Sequence, residues 1–410
     1  MTNNKKRVVA VFSGNRAEYG LQYPILQAIK QHPDLEYRLI VSGAHLDGNF
    51  GRTITEIRDD GFDIHAEVVI DMSGGEKVST ARAIASCIMS LAPVLQSMAP
   101  DIFLVYADRF EGFAAVTTST QMNIPTAHVE GGDITEGGAL DDSVRHAMTK
   151  LAHLHYTTND EATNRILAMG EELWRVHTVG FPAIDLIVDG TYATPEELTL
   201  RLKLDPQRPV VLFTQHSVTT EFTEAAVQLQ PSLEVLMQLA NKGIQVILTY
   251  PNNDAGGEVI ISALQKVVGN EHPNMQLHQS LGRYLYHGLL ALSKLAGWRV
   301  ACVGNSSSGI KETPVFGCPT VNIGSRQQGR LRGDNVIDTN YDANEIGAAI
   351  RRCLFDKEFQ SICSATKNPY GGGNAGKLIA ESLASVDLDP KYILRKRMML
   401  AGEKKDGWFR

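Results

Sequence analysis

Between His128 and His146 the chain reads HVEGGDITEGGALDDSVRH, which sets Glu130, Asp133, Glu136, Asp141 and Asp142 among four glycines with Arg145 as the nearby cation. Five carboxylates within thirteen positions serve no packing purpose. Acid-loaded, glycine-rich junctions between a strand and a helix handle protons, metals or hydroxyls. The plainer reading is a solvated loop leading into an Asp-capped helix, and this stretch alone leaves both readings open. Earlier loops carry isolated polar groups of the same kind: Arg16 with Glu18, His45 with Asp47, and Asp108 with Arg109.

A second set of residues suits an anion. Gly304-Asn-Ser-Ser-Ser-Gly-Ile-Lys-Glu312 follows an apolar run and opens a helical pattern, so Ser306 and Ser307 can present hydroxyls and backbone N–H groups to a phosphate. Serine capping alone would look the same. Glu312 lies further into that pattern, within reach of a ribose diol. Arg326 in GSRQQGR and Arg16 in the first loop are phosphate candidates, although a surface ion pair with Glu18 would equally occupy Arg16. His216, at the end of another strand-like run, can act as a general acid or bind a diphosphate. Asn252 and Asp254 in TYPNNDAGG can meet a ligand or merely cap the next helix.

Positioning these residues requires parallel strands whose carboxyl ends carry the loops. Apolar runs at Arg7–Ser13, Leu35–Ser42, Ile102–Tyr106 and Ile124–His128 alternate with helical patterns around Leu21–Gln31, Thr53–Asp60 and Ala81–Met98. The alternation continues through Leu154–Thr157 and Arg175–Gly180. It resumes at Pro209–Thr214, Gln245–Tyr250, Met275–Leu277, Val300–Gly304 and Thr320–Ile323. This is the pattern of an α/β protein with two Rossmann-type doubly wound parallel sheets. Gly190–Pro209 reads as a linker. The expected division is a first domain over 1–190, a second over 191–385 ending in a helix Asn374–Ser385, and a basic tail over 386–410, read first as a solvated end and otherwise as an oligomer arm, a crossing helix or a partly disordered segment. A cleft between the two domains is expected to hold the ligand.

The length of 410 residues suits two domains. A net charge of −7 argues against nucleic acid as a partner. Apolar runs are read as too short for a membrane span. The start MTNNKKRVVAVFSGN enters a strand with no cleavage pattern. Cys87, Cys302, Cys318, Cys353 and Cys363 have neither zinc nor disulfide spacing. A reduced, cytoplasmic protein is expected, with no metal and no cofactor. No GxGxxG follows the first strand and no GxxxxGK[ST] occurs, so dinucleotide and P-loop readings fail. Phosphate on the second domain and an uncharged end at the acidic junction suit a nucleotide-sugar.

The motifs NRAEYG, SGAHLDGNFG, YADRFEG, HVEGGD, DDSVRHAMTKLAH, VGFPAID, QHSVTT, YPNNDAGG, HPN, GNSSSGIKE and GSRQQGR resemble those of the hydrolysing UDP-N-acetylglucosamine 2-epimerases of sialic-acid-type biosynthesis, over about residues 7–380. The non-hydrolysing cousins usually carry a TRPE-type first loop where this chain has Asn15-Arg16-Ala17-Glu18-Tyr19. The resemblance implies a GT-B-like pair of domains with UDP held chiefly by the second. UDP is eliminated across carbons 1 and 2, and a glycal intermediate is then hydrated. It also implies Asp108, Glu130 and Asp141 as catalytic carboxylates with Arg109 and Arg145 beside them, and His216 near the diphosphate. Ser306, Ser307 and Glu312 would hold phosphate and ribose; Arg16, His45, Gly180, Asn252 and Arg326 complete the implied ligand set. A homodimer or homotetramer is implied as well. There are two departures from the family pattern. Ser217 stands where the family more often has proline, which alters backbone stiffness but not the histidine; the acidic junction TEGGALDDS is longer, and it is this one that bears on the sugar. The alternatives are therefore the same reaction on a UDP- or GDP-linked 2,4-diacetamido-2,4,6-trideoxyhexose, a non-hydrolysing epimerase, or a GT-B glycosyltransferase.

Overall fold

The structure, a computed structural model, describes residues 5–46, 54–71, 78–134, 140–251, 256–268 and 272–400. It divides into two compact units. One comprises the chain through Ile134, Leu140–Asp185 and the chain from Gly373 onward; the other comprises Leu186–Gly372.

The first unit is built on seven strands: β1 (Arg7–Ser13), β2 (Leu35–Ser42), β3 (Ile64–Val68), β4 (Ile102–Tyr106), β5 (Thr126–Val129), β6 (Leu154–Thr157) and β7 (Val176–Thr178). They form one parallel sheet in the order β3-β2-β1-β4-β5-β6-β7. Alternation along a strand sends successive side chains to opposite faces. Val9 and Val11 of β1 accordingly pack in one apolar layer, with Ile25, Leu26 and Ile29, while Ala10 and Phe12 pack in the other, with Cys87 and Leu91. Both faces are covered, which is why β1 and β4 read as continuous apolar runs.

The second unit repeats the plan with β8 (Val210–Thr214), β9 (Gln245–Thr249), β10 (Met275–His278), β11 (Val300–Gly304), β12 (Thr320–Ile323) and β13 (Val336–Thr339), ordered β10-β9-β8-β11-β12-β13 and parallel throughout. Val211 and Phe213 face one layer, Val210 and Leu212 the other. The expected doubly wound class holds in both units. The edge strands β3 and β13 lie outside the expected set because they are half-exposed and carry no apolar run.

Three expectations are corrected. The helix Ala375–Ser385 does not close the second domain, and residues 386–400, although mostly exposed, are anchored rather than a free tail. Both belong to the first unit, where Ile379, Ala380, Leu383 and Ile393 join the layer built on Leu26 and Ile29. Asp185 caps that returning helix, accepting from the Ala375 and Gly376 N–H groups at 3.0 and 2.8 Å. A Cβ on Gly376 would stand 2.5 Å from the Pro24 carbonyl oxygen, so glycine permits the helices to approach. Also, the helix Ser79–Met98 does have the length and apolarity of a membrane span. Its Ala83, Cys87, Leu91 and Leu95 stripe is packed in the core of the first unit. The five cysteines are buried and unpaired, as their spacing indicates.

Candidate active site

In each sheet the strand order reverses at one place, between β1 and β4 and between β8 and β11. Loops leaving the carboxyl ends there diverge and open a crevice. The candidate residues fall on these loops and on the ones beside them.

In the first unit, Ala107 and Glu130 directly follow β4 and β5, and both hold left-handed backbone conformations, with φ of 59° and 64°. Such a conformation costs a non-glycine residue about 1–2 kcal/mol, and it is found where geometry is imposed by the surroundings. His128 imposes it on Ala107. Its Nε2 donates to the Ala107 carbonyl at 2.7 Å, so its Nδ1 accepts from the Thr149 hydroxyl at 3.2 Å. Burial pushes the His128 pKa down to about 4, consistent with this neutral tautomer. Glu130 is anchored through its N–H to the Tyr156 carbonyl at 2.9 Å and is 7 % exposed. Burial first, and then the Glu130 charge, raise the Tyr106 phenol well above its ordinary range, leaving it a proton donor facing that carboxylate.

Arg145 ties the site together. One guanidinium nitrogen is ion-paired to Asp108; the other donates to the Asp133 carbonyl at 2.7 Å and to the Asp142 carboxylate at 2.9 Å. The residue is 2 % exposed. One buried fork thus fixes the loops after β4 and β5 to the helix Leu140–Leu151. Asp142, not singled out from its neighbour by sequence, is the buried member of its pair. Asp141 is exposed on the first turn of that helix, where its charge reaches Arg109. Burial lowers the Arg109 pKa, but the charges of Glu111, Glu18 and Asp141 outweigh it and raise the value overall.

A further pair of carboxylates flanks the β1/β4 switch. Glu18 accepts from the Gly14 N–H at 2.9 Å, and Glu111 lies 3.4 Å from the Arg109 Nε. Both are buried, and burial together with mutual repulsion pushes the Glu18 pKa up; burial does the same for Glu111. Glu18 is therefore a buried carboxylate rather than a surface one. The expected NRAEYG loop is in fact the first turn of the helix Arg16–Gln31, capped by the Asn15 side chain. The Arg16 side chain lies outside the described residues. His45 is fully buried, its Nε2 2.9 Å from the Ser13 hydroxyl, and burial lowers its pKa to about 4. Gly180 sits in the turn after β7 with φ of 91°.

In the second unit, Asn305 spans the β8/β11 switch. Its side chain accepts from the His216 N–H at 2.6 Å and donates to the His216 carbonyl at 2.9 Å. Its own carbonyl accepts from Arg326 at 3.2 Å and from Gln327 at 2.8 Å. One asparagine therefore registers His216 and Arg326, two residues singled out from the sequence, which did not single out Asn305 itself. Gly304 has φ of 129°, and a Cβ there would meet the Thr214 carbonyl oxygen at 1.9 Å, so only glycine fits. Burial, then the Arg326 charge, lowers the His216 pKa to about 3. A neutral imidazole of this kind can donate a hydrogen bond to an anion.

Ser306 and Ser307 immediately precede the short helix Ser308–Lys311, as the motif indicates. Glu312 lies just beyond it rather than one or two turns along a continuous helix, held by His287 Nε2 at 2.9 Å and the Ser308 hydroxyl at 2.7 Å. Asn252, Asp254 and Glu136 lie outside the described residues.

The buried histidines make stability depend on pH. In the unfolded chain they bind protons below about pH 6.5. Folded, His45 and His128 do so only near pH 4. The unfolded state then holds more protons in that window, so the contribution is complete above pH 6.5 and is lost as pH falls toward 4. It amounts to at most about 3 kcal/mol per histidine. Urea unfolding at several pH values should show a fall between pH 6.5 and 4 that is smaller in His128→Gln than in wild type; an equal fall in the two would contradict the buried neutral state of His128.

A family model described as UDP-N-acetylglucosamine 2-epimerase matches residues 27–384. The UDP-N,N'-diacetylbacillosamine 2-epimerase (hydrolyzing) of Legionella pneumophila is 31% identical over 94% of this chain and 98% of its own length. The UDP-N-acetylglucosamine 2-epimerase of Neisseria meningitidis serogroup B is likewise 31% identical, over 94% and 96%. A crystal structure of UDP-GlcNAc 2-epimerase from Neisseria meningitidis bound to UDP-GlcNAc superposes with a TM-score of 0.76 at 18% identity, covering 92% of this chain and 99% of that one.

Proposed function

The chain belongs to the UDP-N-acetylglucosamine 2-epimerase family, and we propose that within it this protein is a hydrolysing enzyme, converting UDP-N-acetylglucosamine to UDP and free N-acetylmannosamine. The observation that carries the reading is the Arg145 fork, which holds Asp108 beside the loop of Glu130. Elimination needs a base for a weakly acidic C2–H and a donor for the departing oxygen on C1. The C2–H electrons form the C1–C2 double bond as the C1–O bond breaks, and both electrons of that bond leave with UDP. Hydration then delivers the water oxygen to C1 and a proton to C2 from the opposite face, inverting that centre. Asp108, Glu130 and Asp141 take these proton-handling roles, with Arg145 and Arg109 stabilising the charge. His216, Ser306, Ser307, Glu312 and Arg326 are assigned to the nucleotide. The protein is read as a cytoplasmic homodimer or homotetramer.

A second reading, the same reaction on a UDP- or GDP-linked 2,4-diacetamido-2,4,6-trideoxyhexose, is supported by the diacetylbacillosamine enzyme of Legionella pneumophila, which is as identical to this chain, at 31%, as the N-acetylglucosamine enzyme. Incubation with each nucleotide-sugar separately, following UDP and free sugar, decides between them. Our reading expects kcat/KM at least tenfold higher for UDP-N-acetylglucosamine, the discrimination on the order of one or two polar contacts. The reverse ratio would transfer the assignment to the diacetamido sugar.

A further inference from the structure

The C-terminal segment holds an arrangement that no role above absorbs. The Lys396 ammonium is enclosed by four oxygens: Glu171 Oε2 at 2.9 Å and the carbonyls of Thr149, Lys150 and Ala152 at 3.2, 2.8 and 2.5 Å. Those carbonyls end the helix Leu140–Leu151, whose opening turns carry Asp141, Asp142 and Arg145. A cation there satisfies carbonyls that have no partner within the helix and complements its dipole.

The segment delivering Lys396 is independently fastened to the first unit. Arg175, fully buried, donates to the carbonyls of Ile393 at 2.8 Å, Tyr392 at 3.2 Å and Arg395 at 3.1 Å. Tyr392 stacks on Trp174 with ring centroids 4.2 Å apart, and the Met399 N–H donates to Gly170 at 2.8 Å. Glu171 is itself shared, with Lys150 at 2.6 Å and His155 at 3.0 Å.

Two connected routes run from this cap to Asp108. One follows the helix to Arg145 and its ion pair. The other starts at Thr149, whose carbonyl meets Lys396 and whose hydroxyl meets His128, and passes through His128 to the Ala107 carbonyl. Ala107 is the left-handed residue that sets the direction of Asp108.

We propose that Lys396 is a positioning residue for the Asp108–Arg145 pair and that Pro390–Leu400 is the strap that delivers it. The proposal rests on the reading of Asp108 and Arg145 as reaction groups. A strap of this kind acts on the rate of the chemical step and not on nucleotide binding, because the contacts that fasten it are made to residues of the first unit, at Thr149, Lys150, Ala152, Glu171, Trp174 and Arg175.

The test measures UDP release and amide hydrogen exchange on wild type, Lys396→Met and Glu171→Gln. The Met variant keeps the aliphatic stem without the ammonium; the Gln variant keeps the ammonium without its counter-charge. For Lys396→Met we expect kcat to fall on the order of tenfold or more with KM within about threefold, since small misplacements of reacting groups are costly to rate. Exchange should quicken at residues 107–109 as well as at the end of the Leu140–Leu151 helix. Unchanged kcat, or exchange that quickens only within the strap, would overturn the proposal. If Lys396→Met does not fold, Glu171→Gln carries the same readouts with the same directions and the same contradicting results. Exchange needs no substrate. A wild type inactive on every nucleotide-sugar would therefore overturn the proposed reaction while the exchange results still decide the strap.

Discussion

Glu130→Gln is expected to lower the rate of UDP release by about 10²–10⁴-fold, the range associated with loss of a general acid or base, while the Kd for UDP stays within about tenfold. The split follows from where the groups lie. Glu130 sits on the loop after β5 in the first unit, whereas His216, Asn305 and Arg326 form a separate hydrogen-bonded set in the second. The amide keeps the shape of the carboxylate but cannot accept a proton. Its backbone is held by the Tyr156 carbonyl regardless of the side chain, so folding should be little affected. Calorimetric UDP titration alongside the rate measurement checks both halves. Turnover within tenfold of wild type would remove Glu130 from the mechanism.

Arg145→Met should be the most disruptive single change. It would remove the guanidinium that pairs with Asp108 and Asp142 and donates to the Asp133 carbonyl, at a position 2 % exposed. Removing one member of a buried ion pair costs about 3–5 kcal/mol, because the remaining charge stays buried and uncompensated. Urea unfolding should report a loss of this size, with turnover abolished even under conditions where the variant is folded. A loss below about 1 kcal/mol would mean that the fork is solvated and does not organise the loops.

The doubly wound class was readable because parallel strands covered on both faces are continuous apolar runs. IFLVY and VVLFT announce β4 and β8 directly. The half-exposed IHAEV and VIDT announce nothing, which is why β3 and β13 were unseen. Asp108, Glu130 and His216 could be picked out because each is a polar residue just beyond an apolar run, and Arg145 because it is the cation beside a run of carboxylates. Their partners could not. Asn305 matters for its pairing across the β8/β11 switch, Asp142 differs from Asp141 only by helix phase, and Glu111 joins Glu18 through tertiary packing. The role of the basic C-terminal residues was hidden for the same reason. Lys396 finds its acceptors about 245 positions away in sequence, at Thr149, Lys150 and Ala152, and local pattern carries no trace of contacts at such distance.

The central claim is hydrolysis with inversion at carbon 2, and proton NMR of the reaction in deuterated water tests it most directly. Hydrolysing epimerisation predicts UDP and free N-acetylmannosamine in equal amounts, with deuterium at carbon 2 of the released sugar. Free N-acetylglucosamine retaining its C2 proton, or an epimerised sugar still attached to UDP, would contradict it.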